Sequence, residues 1–225
     1  MCSSDLKNLV EKIGRGFGEW GEIFAAVPDR LKNWDATSFD IPTIAKLGNP
    51  NGATVLEVMD PGCSVCMQSY RNLQKDEKFL NSHLIKIAIY PIQLPDGSFK
   101  FKNSGIIAKY LYASDIHQPG AKYSAKILNR IFTERDQEGI IYQTIFNNQL
   151  TETEAKDLIE TWLAEWGASP EDIIKISELT NSGQVDQLMQ QTKQVVEQEI
   201  KAKGIPVMIA DGRKINGLFK DSAGE

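Results

Sequence analysis

Apolar positions divide the chain into stretches of different texture. Over residues 5–27, Leu6, Leu9, Val10, Ile13, Phe17, Trp20, Ile23 and Phe24 recur at three- and four-residue spacings, the stripe of an amphipathic helix. Gly14, Gly16, Gly18 and Gly21 interrupt it, each at a cost of up to about 1 kcal/mol relative to Ala, so this arm needs a surface to pack on. Its charges are mixed, which argues against a basic helix lying on a membrane. Pro28 to Asp40 reads as a connector. Gly48-Asn49-Pro50-Asn51-Gly52 is dense turn chemistry and leads into the β-prone run Ala53–Met59. Asp60-Pro61-Gly62 breaks that strand, and a helical pattern runs from about Cys63 to about Leu80. A second strand is predicted at His83–Ile92, apolar enough to be buried on both faces of an α/β sheet. Pro95-Asp96-Gly97 makes a turn.

Residues 103–203 read almost wholly as helices. Thr151 and Glu154 have capping-box spacing ahead of Leu158, Ile159, Trp162, Leu163 and Trp166. Ser169-Pro170-Glu171-Asp172 is a helix start, and a last long helix carries Val185, Leu188, Met189, Thr192, Val195, Val196 and Ile200 on one face, with Gly204 closing it. These stripes read as core. The tail returns to strand at Ile205–Ala210, and Asp211-Gly212 predicts a hairpin into Arg213–Asn216. The expected order is strand, helix, strand, helical block, strand, hairpin, strand.

Composition narrows the class. The 225 residues suffice for one large domain, or one with an elaborate insertion. At 41% hydrophobic and 24% charged residues the balance is that of a soluble globular chain. A net charge of −5 argues against nucleic acid as a partner, and no apolar run approaches the roughly 20 residues that span a bilayer. The cysteines number three, Cys2, Cys63 and Cys66, which excludes a disulfide-stapled scaffold. Met1-Cys2-Ser3-Ser4-Asp5 contains no secretory signal. An extracytoplasmic location, periplasmic or lipid-anchored through an acylated Cys2, is favoured if a leader was removed; otherwise the chain is cytoplasmic and Cys2 a free thiol.

Cys63-Ser64-Val65-Cys66 sits where a strand turns into a helix. The i, i+3 spacing puts both sulfurs on one face, within disulfide reach. Cys63, at the helix start, faces unpaired N–H groups and the positive end of the helix dipole, which favour the nucleophilic thiolate. Cys66, one turn in, is the natural resolving thiol. Half of a metal site and a static disulfide are the competing readings, and redox chemistry is preferred to both. Gly204-Ile205-Pro206-Val207 places an X-Pro bond, the kind that adopts cis, at the start of a strand.

On these segments the chain resembles the DsbA-like branch of the thioredoxin-fold oxidoreductases. Leu47–Val58 is similar to that branch's lead-in strand, Cys63–Cys66 to its active-site motif, and Gly204–Ile209 with the Asp211-Gly212 hairpin to its cis-proline strand. The likeness spans roughly residues 45–218. It implies an α/β thioredoxin-like fold with a large all-helical insertion and an N-terminal helical arm: the arm and connector at 1–46, the first half of the fold at 47–102, the insertion at 103–203 and the second half at 204–225. It further implies that Cys63 forms the mixed disulfide, that Cys66 resolves it, and that Glu57, six residues upstream, is a buried acid able to accept the Cys66 proton. A solvent-facing Glu57 is the competing reading. Pro206 is implied to be cis, Ile205 to offer backbone hydrogen bonds to an extended substrate, and Ser64 and Val65 to lie at the substrate-binding surface.

Departures qualify the likeness. Gly62 stands where an aromatic or polar residue is common, and Ser64-Val65 supplies no His to the thiolate, so a less oxidising couple than that of DsbA is expected. The sequence ends, at Lys220–Glu225, where the family adds a closing helix, so the arm is expected to cover one face of the sheet. His83 and His117 read as structural; Met67 and Tyr70 either rim a shallow groove or pack in the core.

The expected activity is thiol–disulfide exchange on protein thiols or disulfides, as oxidase, isomerase or reductase. No metal or organic cofactor is required, because the cysteine pair carries the electrons. The implied partners are protein or peptide substrates and a redox protein that recycles the pair. Self-association through the arm and packing of the arm on its own chain both stay open. The alternatives are a non-enzymatic binding or chaperone module and a metal-delivery protein using Cys63 and Cys66.

Overall fold

The computed structural model describes residues 33–119 and 122–219. The amphipathic arm, Cys2 and Lys220–Glu225 lie outside the described residues, and with them the expectations of acylation, self-association and a sheet face covered by the arm.

Strands β1 (Ala45–Gly48), β2 (Ala53–Met59), β3 (His83–Ile89), β4 (Val207–Ala210) and β5 (Arg213–Asn216) form one mixed sheet in the spatial order β1-β3-β2-β4-β5. β2 and β3 run parallel, a pairing that needs a crossover, supplied here by helices α1 (Ser64–Lys75) and α2 (Glu77–Ser82). The other neighbours are antiparallel.

Alternation along the central strands sorts side chains to two faces. Val55 and Met59, with Ile85, Ile87 and Ile89 of β3 and Met208 and Ala210 of β4, join the core that contains Cys66, Tyr70 and Leu73 of α1 and most of the helical block. Leu56, Val58, Ala88, Val207 and Ile209 pack against Trp34, Val195, Val196 and Ile200. Both faces are therefore covered, as the apolar runs of β2 and β3 require.

The block comprises α3 (Ser104–His117), α4 (Lys122–Thr133), α5 (Tyr142–Asn148), α6 (Glu152–Glu165), α7 (Pro170–Leu179) and α8 (Gly183–Gln194), which runs into a π-helical turn at Val195–Glu199. α3 buries residues around most of its circumference, as expected of a helix apolar on all sides. α6 and α7 begin with the capping boxes read from Thr151–Glu154 and Ser169–Asp172. Among the described residues no helix is long and apolar enough to cross a membrane.

The structure corrects several boundaries. β1 is an additional strand, paired with β3 from Ala45↔Ile87 to Gly48↔Leu84. The helix expected to about Leu80 breaks at Asp76, whose side chain accepts the Phe79 N–H and caps α2. β3 stops at Ile89 rather than Ile92, because Pro91 has no N–H for the ladder and the Ile92 N–H is taken by Asp60 Oδ2 at 2.8 Å. Gly204 does not close the last helix. The chain widens to i→i+5 bonds, Ile200 N–H donating to the Val195 carbonyl, and Lys201 takes the left-handed conformation at φ 52°. The hairpin is as expected: Asp211 (φ 49°) and Gly212 (φ 74°) are both left-handed, as a two-residue type I′ turn requires.

Candidate active site

β2 delivers the chain to Asp60-Pro61-Gly62, and Cys63 caps α1 in an extended conformation. Its N–H donates to the Asp60 carbonyl at 3.0 Å and its carbonyl accepts the Met67 N–H at 3.0 Å. Cys63 keeps 7% of its surface exposed and Cys66 none, and both are free thiols. The Cys66 S–H points at the Cys63 sulfur, the Cys66 and Val65 N–H groups face it, and the Lys100 ammonium lies near enough to favour negative charge. Together they outweigh burial and lower the Cys63 thiol to about 6. Burial, and then the neighbouring Cys63 sulfur, push Cys66 well above the ordinary thiol range. At neutral pH the pair is thus a thiolate and a thiol.

Two buried carboxyl groups lie behind it. Glu57, on the same strand face as Val55 and Met59, is fully buried rather than solvent-facing, between Ile87 and Met208 in the sheet register. Ser69 of α1 donates to its Oε1 at 2.6 Å, and the same hydroxyl accepts the Phe219 N–H at 3.3 Å. Glu57 Oε2 has no partner among the described residues. Burial raises this carboxyl to about 8 against the single Ser69 bond, so it is protonated at neutral pH. Asp60 read in the sequence only as part of a strand breaker. It is fully buried, its backbone N–H approaches the Cys66 sulfur at 3.4 Å, and its Oδ1 and Oδ2 accept the N–H groups of Gly62 at 2.7 Å and Ile92 at 2.8 Å. Burial raises it to about 7.

The helical block holds the loop from the other side. Gln143 Nε2 donates to the carbonyls of Pro61 at 2.9 Å and Cys63 at 3.0 Å, and Asn147 Nδ2 to that of Gly62 at 2.8 Å. The two amides stand one turn apart on α5, on one face. Phe101 and Asn147 Oδ1 crowd the space a Cβ on Gly62 would fill, which explains the missing side chain ahead of Cys63. No sequence signal marks Gln143 or Asn147, since polar residues on a short helix ordinarily face water.

The Ile205–Pro206 peptide bond is cis. Val207, next in the chain, pairs with Val58 of β2, so the register sets this bond beside the turn leading to Cys63. Ile205 and Lys100 share a shallow cavity of about 260 Å³ with Ile92 and Lys203. Ser64 and Val65 are exposed, Val65 at 44%. The structure therefore gathers Cys63, Cys66, Glu57, Ser64, Val65, Ile205 and Pro206 at one end of the sheet. Tyr70 is buried edge-on against Phe132 and belongs to the core, while Met67 is half-buried against the same core. His83 is stacked on Phe79 and bonded to Asp211, and His117 is bonded to Asp172, so neither histidine joins the cysteines.

Neither a family model nor a curated protein matches the sequence; the likeness lies in the fold. A thiol-disulfide oxidoreductase from Corynebacterium matruchotii, MdbA, superposes with a TM-score of 0.56 at 18% identity, over 78% of this chain and 84% of that one. The thiol-disulfide exchange protein alpha-DsbA2 of Wolbachia pipientis gives 0.54 at 13%, over 83% and 84%. A periplasmic thioredoxin-like protein from Salmonella enterica serovar Typhimurium gives 0.50 at 16%, over 77% and 81%. A mixed sheet with a helical block looped out between its halves, and these neighbours, show that the chain has the thioredoxin-like fold of DsbA-like thiol–disulfide oxidoreductases.

Proposed function

We propose that the protein is a thiol–disulfide oxidoreductase acting on protein or peptide substrates through the Cys63–Cys66 pair. The observation that carries this reading is the asymmetry of the two sulfurs, a lowered thiol at the helix start and a raised, buried one a turn later. In the oxidative direction a substrate thiolate attacks the Cys63 sulfur of the disulfide, Cys66 leaves as a thiolate, and a mixed disulfide forms. A second substrate thiolate then displaces Cys63, which departs as the stabilised thiolate. In the reductive direction Cys63 attacks first and Cys66 resolves. Departure or attack by Cys66 requires a proton to move at a sulfur shut away from water. Glu57, buried under α1 and unpartnered at Oε2 among the described residues, is the group assigned to carry it. Ile205 presents backbone groups to an extended substrate beside Pro206, with Ser64 and Val65 at the exposed rim.

A redox protein recycles the pair in this scheme. An extracytoplasmic, periplasmic setting belongs to the same proposal, supported by the neighbour described as periplasmic. The N-terminal arm is the segment through which copies would associate; light scattering that finds a monomer with and without the arm removes that part. The central test is a titration of the cysteine pair in glutathione buffers, with insulin-reduction and scrambled-ribonuclease assays to fix direction. A reversible two-electron couple less oxidising than that of DsbA, about −120 mV, is expected. A Cys63→Ser variant that keeps full function in cells would instead favour a binding module.

A further inference from the structure

Asp60 is the buried ionisable group nearest the motif that the exchange scheme leaves unused. Its carboxylate oxygens accept the N–H groups of Gly62 and Ile92, its carbonyl accepts that of Cys63, and its own N–H approaches the Cys66 sulfur. One residue thus joins the end of β2, the loop before Cys63, the segment after β3 and the resolving sulfur. We propose that Asp60 is a positioning residue of this motif, and that one negative charge passes between its carboxylate and the Cys63 sulfur as the pair is oxidised and reduced.

A buried site favours an unchanged net charge through the redox cycle. With the disulfide formed, both sulfurs are neutral, and the two N–H donors favour an ionised Asp60. Reduction makes Cys63 a thiolate beside it, and two unshielded negative charges that close repel. The Cys63 charge accordingly raises the Asp60 carboxyl in the reduced protein, adding to burial. Other groups facing Asp60 do not supply the compensation. Cys66 carries its own proton, the Tyr90 phenol is held neutral by burial and donates to Glu197, and the Ser104 hydroxyl of α3 carries no charge. Lys100 acts on Cys63.

The exchange balances on this scheme. A substrate dithiol gives up two electrons and two protons, the Cys63–Cys66 bond breaks and a substrate disulfide forms. One proton stays on Cys66 and the other neutralises Asp60, so the site holds one negative charge before and after.

This inference rests on the oxidoreductase reading, and the test separates the two. The full-length protein is equilibrated with glutathione buffers at several pH values, and the Cys63 thiolate is followed by its ultraviolet absorbance. Once the two protons released by oxidation of two glutathione thiols are taken into account, uptake of two protons per two electrons makes the equilibrium constant of the protein's own half-reaction change about 100-fold per pH unit between pH 6 and 7. Asp60→Asn should reduce this to about tenfold, because the second proton acceptor is gone. Asp60→Glu should restore the steeper dependence even if it lowers stability, which a purely structural role would not do. A wild-type dependence of tenfold per pH unit, or an Asp60→Asn protein indistinguishable from wild type, overturns the inference while leaving the couple intact. A wild type with no reversible couple overturns the oxidoreductase reading itself. The wild-type dependence decides the matter even if Asp60→Asn does not fold.

Discussion

Buried polar groups in the helical block and at the cysteine motif differ in kind: amides and hydroxyls in the block, carboxyl groups at the motif. In the block several of these neutral groups are paired, although Ser104 Oγ, Ser114 Oγ and Asn147 Oδ1 lack a partner among the described residues. The Tyr112 hydroxyl donates to the Ile89 carbonyl and meets Thr192 Oγ1, both at 2.8 Å, Asn103 Nδ2 donates to the carbonyls of Phe146 and Leu150, and Ser124 donates to that of Ile44. At the motif, Glu57 keeps one carboxyl oxygen unpartnered among the described residues, and the Asp60 carboxyl is raised by burial while its backbone N–H approaches the Cys66 sulfur. A satisfied buried bond contributes about 1 kcal/mol, whereas an unsatisfied group costs about 1–3 kcal/mol. Burying an ionisable carboxyl costs more than burying a hydroxyl or an amide, so the motif carries the groups that weaken the fold most while readying its sulfurs for reaction.

The sharpest way to break this contrast is Cys63→Ser. It is expected to abolish exchange with insulin while leaving the urea midpoint close to wild type. Trp162→Ala is its counterpart in the block. This fully packed ring lies against Tyr142, Phe146 and Trp166, and its loss should cost about 3–5 kcal/mol in a urea melt. The Cys63 absorbance titration of the folded fraction should not shift. A Cys63→Ser protein that unfolds, or a Trp162→Ala protein with a displaced thiolate titration, would dissolve the distinction.

Glu57→Gln sharpens it through pH. Glu57 rises from an ordinary 4.5 to about 8 on folding, so between those values the native state holds a proton that the unfolded chain has lost. Stability conferred by the neutral form is full below about pH 4.5 and is lost as pH rises towards 8, by up to roughly 1.4 kcal/mol per pH unit. Cys63 works in the opposite sense above pH 6, and Asp60 in the same sense as Glu57, so the informative quantity is wild type minus Glu57→Gln, in which both cancel. Urea melts from pH 5 to 8 should show that difference falling with pH; a flat difference would place Glu57 in contact with water. Tyr112→Phe is the smallest effect, about 1–2 kcal/mol at every pH, with exchange rates unchanged.

Local signals were legible where neighbours in sequence make the structure. The two capping boxes, the Asp211-Gly212 hairpin and the cysteine pair at a strand-to-helix junction all depend on residues within a few positions of one another. The features that escaped depend on distant partners. β1 is four residues long and exists because β3 offers it an edge. Asp60 holds the returning Ile92 N–H, and Gln143 and Asn147 reach Pro61, Cys63 and Gly62 from 80 or more residues away. The break at Asp76 and the π-helical turn were missed for a different reason. Both interrupt apolar stripes that continue on either side, so periodicity reads straight through them.

Ser69, which donates to Glu57, accepts the N–H of Phe219, 150 residues further along the chain. On a ribosome adding about 5–20 residues per second, the cysteines emerge roughly 10–30 s before that partner. During synthesis the sheet face beside Glu57 is thus unfinished, and its carboxyl is enclosed only once Met208 pairs beside it in the last strands. The age of the nascent chain, as much as its sequence, decides when this carboxyl is sealed from water.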